Sequence, residues 1–125
     1  MKERRAHRRV KEAADIGVTI LSAPEQPGLE NRTFTSAMRD MSPRGIRLHL
    51  PLVVPVGGTL EMRVEAGEPR GTLWHIGRVV WVRKEADADP ACEVGVQFTE
   101  SAETTLLLWE ELLREKLSRL EPAGH

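Results

Sequence analysis

A chain of 125 residues with 40% hydrophobic and 30% charged side chains has the composition of a single soluble globular domain rather than of a disordered or fibrous protein. No apolar run approaches the roughly 18–20 residues of a membrane-spanning helix, and no apolar segment follows the basic start as a secretory signal would. The net charge of −1 hides an asymmetry: residues 1–11 hold six basic side chains against Glu3, a local charge of +5, which leaves −6 for residues 12–125. A basic arm of this kind is built to meet an anion. The single Cys92 rules out an internal disulfide, and a cytoplasmic setting without membrane insertion is expected.

In chain order, the β-branched run Gly17–Leu21 reads as a strand, followed by a loop at Pro24, Pro27 and Gly28. Asn31 to Arg39 alternates loosely, with Phe34 and Met38 on one parity, and forms a second strand. Asp40–Gly45 is a turn by composition, because Asp and Ser bond nearby backbone, Pro fixes φ and Gly relaxes it. Ile46–Leu50 and Thr59–Glu65 then alternate apolar with polar, the pattern of half-buried strands. Thr72–Arg83 reads as one long bent strand or two short ones, with Gly77 a candidate bulge or point of close backbone approach. An acidic loop, Glu85–Pro90, leads into a last strand, Cys92–Phe98. Six strands punctuated by turns give a closed or nearly closed barrel or a small sandwich.

The period changes after Ser101. Leu106, Trp109, Leu113, Leu117 and Leu120 recur at three- and four-residue steps, and Leu107, Leu108 and Leu112 widen the stripe. A helix over 103–120, with acids at its start, bases at its end and Pro122 beyond it, spans roughly 27 Å. The stripe suits packing on the strands, with a dimer or partner interface as the other use; a monomer or weak homodimer is expected.

Enzymatic chemistry finds no foothold. The sequence has no Ser/His/Asp set at a recognisable spacing, no phosphate-binding glycine loop and no HExxH. His49 and His75 sit on what read as the polar parities of their strands and are expected at the surface, while Asp87 and Asp89 belong to a solvated turn rather than a metal loop. No catalytic residue, metal site or cofactor is expected.

Two features stand out. Glu3-Arg4-Arg5-Ala6-His7-Arg8-Arg9-Val10 contains RxxxR twice, as Arg4/Arg8 and Arg5/Arg9, and Asp40-Met41-Ser42-Pro43-Arg44-Gly45 spells DxSxxG directly before a strand. Each alone is common. In this order, and with Gly77-Arg78-Val79-Val80-Trp81 and Val94-Gly95-Val96-Gln97-Phe98 resembling late strands, the chain resembles the PilZ domain, the bacterial receptor module for cyclic di-GMP. The resemblance covers nearly the whole chain and implies an all-β fold, a six-stranded antiparallel PilZ-type β-barrel with a C-terminal α-helix, in a stand-alone protein. Residues 1–16 would form a flexible basic arm, 17–100 the barrel and 101–121 the helix packed on or near it.

The resemblance also implies a site of Arg4, Arg5, Arg8, Arg9, Asp40, Ser42 and Gly45. The β-branched Val10 after Arg9 favours Arg5 and Arg9 as the motif pair, with Arg4 and Arg8 as flanking helpers. These residue types suit the ligand. A guanidinium stacks on a base, forks onto guanine O6 and N7, and pairs with phosphate; Asp40 is an acceptor for guanine N1–H and N2–H; Ser42 donates or accepts; Gly45 admits the backbone closely or takes positive φ. The implied function is a non-enzymatic cyclic di-GMP receptor whose surface changes on binding to regulate an unidentified downstream protein. The alternatives are a protein-interaction adaptor with weak or no nucleotide binding, and a basic-armed nucleic-acid barrel. The latter is disfavoured by the acidic body and few aromatics, so no nucleic-acid partner is expected.

Overall fold

The computed structural model describes residues 15–84 and 92–120. Six antiparallel strands follow in sequence: β1 (Asp15–Ser22), β2 (Thr33–Ser42), β3 (Gly45–Leu50), β4 (Thr59–Glu65), β5 (Thr72–Lys84) and β6 (Cys92–Glu100), with one helix, α1 (Glu103–Leu120), behind them. They close into a barrel in the order β1-β2-β3-β6-β5-β4, which leaves no sheet edge unpaired. The expected six-stranded antiparallel barrel with a C-terminal helix is therefore the observed fold. Between β1 and β2, the loop carries a single short 3-10 turn at Pro27–Leu29.

Alternation builds the core. Ile16, Val18 and Ile20 from β1, Ile46, Leu48 and Leu50 from β3, and Leu60, Met62 and Val64 from β4 all point inward and are buried, one face of each strand filling the interior. β1 starts two residues before the expected Gly17, because Ile16 is drawn fully into this core. β5 is one continuous strand of 13 residues, and its register against β6 slips at Ile76/Gly77 and again at Val79/Trp81.

The helix has the expected bounds but a rotated face. Trp109 and Leu112 are buried in the barrel's core cluster and Leu108 packs against it, whereas Leu117 is 50% exposed and Leu107 61%. The docking face thus runs through 108, 109 and 112 rather than through Leu117. The Trp109 Nε1–H donates to the Ser42 carbonyl at 2.8 Å. On the other flank Arg70, in the β4–β5 turn, reaches Glu111 at 3.2 Å and Glu115 at 2.9 Å.

His75 corrects a sequence expectation. It lies on the inward parity of β5 and is 1% exposed, not at the surface. Its ring stacks on Phe98 at 3.9 Å between centroids and meets the Trp109 edge at 4.8 Å. Nδ1 is 2.7 Å from the Ser101 hydroxyl, and Nε2 has no hydrogen-bond partner. An imidazolium would need an acceptor at both nitrogens, and burial lowers the His75 pKa from 6.5 to about 4. His49 is half-buried, and both of its ring nitrogens are shut off without a hydrogen bond.

Candidate functional site

The DxSxxG segment is more strand than turn. Asp40, Met41 and Ser42 continue β2, paired with Arg47, Ile46 and Gly45 of β3, so only Pro43 and Arg44 lie outside the strands. The composition of Asp40–Gly45 suggested side chains bonding to local backbone. Instead the Asp40 carboxylate forms an ion pair with Arg47 across the hairpin, and the Arg44 carbonyl accepts from the Phe98 N–H at 2.9 Å.

A single extra residue on β2 decides where Asp40 points. Met38 opposes Leu48 and Asp40 opposes Arg47, so the register shifts between them, around Arg39. Without that bulge Asp40 would share the parity of Ser36 and Met38, both buried, and would face the core. The same device acts on β5. Val79 opposes Val96 and Trp81 opposes Gly95, with Val80 as the extra residue. The bulge moves Trp81 from the inward parity of Val79 to the outside, where it is 39% exposed.

Two bulges on two strands therefore align Asp40, Arg47, Gly95 and Trp81 in one row across β2, β3, β6 and β5. The row forms the floor of a pocket of about 370 Å³, which Ser42, Arg44, Gly45 and Gln97 also line. Gly95 is required by the Trp81 indole, since a Cβ there would sit 2.8 Å from Cδ1 and nearer still to two other ring atoms. Gly45 is required for close strand approach: an added Cβ would lie 2.5 Å from the Val96 carbonyl oxygen. Of the two roles that glycine could play there, the structure uses space and not positive φ.

The charges of the row are paired. Arg47 bridges Asp40 and Glu93, with Nε 3.4 Å from Glu93 Oε2, and Arg83 also pairs with Glu93. Asp40 remains 43% exposed and Arg47 28%, so both are reachable from the pocket, whereas the Glu93 carboxylate is 3% exposed.

Of the residues named from sequence, Asp40, Ser42 and Gly45 are brought together at this pocket. Arg4, Arg5, Arg8 and Arg9 lie outside the described residues. Sequence reasoning noted the segment containing Trp81 but did not assign that residue, Arg47, Gly95 or Glu93 to a site. The one clue is Gly95 on β6 opposite Trp81 on the neighbouring β5, and it has no meaning until the register is known. Among the described residues there is no cluster of metal-ligating side chains and no helix long and apolar enough to cross a membrane.

The architecture is a closed six-stranded barrel with a mixed aromatic and charged pocket beside one hairpin. The family model for the PilZ domain matches residues 3–117, and the chain belongs to that family, whose domains serve as receptors and adaptors. Among solved structures, the chain is similar to the PilZ domain of YcgR from Escherichia coli with c-di-GMP, at 16% identity and a TM-score of 0.57 over 88% of both chains. It is also similar to the Bacillus subtilis inhibitor of motility MotI/DgrA, at 15% identity and a TM-score of 0.62. That match covers 89% of this chain and spans half the length of the other. Comparison with curated protein sequences gives no significant match.

Proposed function

We propose that this protein is a cyclic di-GMP receptor that uses the pocket between the β2–β3 hairpin and Trp81, and that ligand binding alters its surface for a downstream protein. The observation that carries the reading is the outward row of Asp40, Arg47, Gly95 and Trp81 beside Ser42. A guanine needs an aromatic surface, an acceptor for its N1–H and N2–H, and donors for O6 and N7. Trp81 offers the first, Asp40 the second, and the arm's arginines the third. The phosphodiesters need cations, which Arg5 and Arg9 supply with Arg4 and Arg8 beside them. A structural neighbour whose PilZ domain was solved with c-di-GMP supports the ligand class. Closing residues 3–11 over the pocket would order them at an entropic cost and would turn ligand arrival into a new surface.

Calorimetric titration with cyclic di-GMP, with GTP and cyclic di-AMP as controls, tests the reading. Binding of cyclic di-GMP alone, weakened tenfold or more (about 1.4 kcal/mol) by Asp40→Ala and by Arg9→Ala, is the expected result. No heat and no thermal shift with a saturating excess of cyclic di-GMP would overturn it.

A further inference from the structure

Glu93 stands in an unusual position. Its register is outward, opposite His49 on β3 and Arg83 on β5, yet its carboxylate is 3% exposed. A carboxylate this deeply buried is costly unless paired, and here two guanidiniums meet it. Arg83 approaches from the same row, and its side chain is 64% exposed, so it can hydrate without help. Arg47 approaches diagonally through Nε, while its Nη2 end holds Asp40.

Arg47 is thus shared between an inner carboxylate outside the pocket and an outer one within it. Two carboxylates and two guanidiniums make the set neutral. When Asp40 turns to the N–H donors of a guanine, the remainder, Arg47, Arg83 and Glu93, carries one net positive charge at the pocket wall. That charge matches one phosphodiester. We propose that Glu93 is the positioning residue that holds Arg47 in place as a phosphate-binding group once Asp40 has exchanged it for the ligand. The proposal rests on the reading of this pocket as the cyclic di-GMP site. Without Glu93, Arg47 has Asp40 as its one carboxylate partner in the pocket. The ligand must then break that pair outright, and the freed guanidinium is no longer aimed.

The test is a binding cycle with cyclic di-GMP on the full chain, comparing wild type, Glu93→Gln, Arg47→Gln and the double variant. Each single change should weaken binding about tenfold, and the double variant should bind no more weakly than Arg47→Gln alone. A Glu93 that only supports the fold would weaken binding equally in both backgrounds, and that result overturns the proposal. So does Glu93→Gln binding as wild type does, or Arg47→Gln binding as tightly as wild type or more tightly. A wild-type protein that binds no cyclic di-GMP defeats the reading of the pocket itself, and this proposal with it. A measurement on the wild type covers the case in which Glu93→Gln does not fold. The Arg47 Nε–H signal in a nitrogen-15 spectrum should stay protected in the cyclic di-GMP complex while its Nη signals shift; loss of Nε–H protection on binding overturns the proposal.

Discussion

Acid should unfold this barrel partly through His75. The ring is 1% exposed, stacked on Phe98 and edged by Trp109, and its Nε2 has no partner. The folded state holds it neutral down to about pH 4, whereas in the unfolded chain it protonates near 6.5. Its contribution is therefore complete above pH 6.5 and is lost as pH falls towards 4, because over that window the unfolded state binds the extra proton. At 1.36 kcal/mol for each pH unit, the loss amounts to about 3 kcal/mol, a large fraction of a typical domain's 5–15 kcal/mol. His75→Phe keeps an aromatic ring against Phe98 and removes the titration. Urea unfolding followed by tryptophan fluorescence at intervals from pH 7.5 to pH 4 should show the wild-type stability falling by about 3 kcal/mol more than that of the variant. The comparison cancels the carboxylates, which titrate in both. Parallel curves would refute the reasoning, and would mean that the ring takes up a proton without leaving its aromatic surroundings.

Further outcomes follow from the pocket and the helix dock. Trp81→Ala should weaken cyclic di-GMP binding about tenfold or more, since base–aromatic stacking contributes about 1–3 kcal/mol, while leaving the unfolding midpoint close to wild type because the indole lies outside the core; calorimetry and a melt check both parts. Gly45→Ala should lower stability by about 1–3 kcal/mol through the collision with the Val96 carbonyl, measured by denaturant titration. Trp109→Phe keeps most of the buried ring but deletes the bond to the Ser42 carbonyl, at a cost of about 0.5–1.5 kcal/mol; Trp109→Ala should cost about 3–5 kcal/mol, read in the same titration.

Much of the fold was legible in the chain itself. Strands such as Thr59–Glu65 alternate without interruption, and the helix over 103–120 declares itself by its change of period and its charge distribution. Asp40, Ser42 and Gly45 stood out by motif, and they do line one pocket. The helix face was less legible: leucines occupy most of its circumference, so the side that docks is chosen by where Trp109 fits among Phe98 and His75. His75 was misread for a similar reason. β5 carries apolar residues on both parities, Leu73 and Val79 on one and Trp74 and Ile76 on the other, so its own pattern does not say which side is inside.

The sequence alone determined the number and type of elements and the residues from which a site could be made, because helix and strand periods and turn chemistry are local properties. Only the tertiary structure decided the site. Strand parity inverts at each single-residue bulge, and a bulge exists only relative to a partner strand: Arg39 is extra only against β3, and Val80 only against β6. Those two insertions turn Asp40 and Trp81 outward into one row with Arg47 and Gly95. No reading of one strand at a time contains that information, because it resides in the pairing between strands.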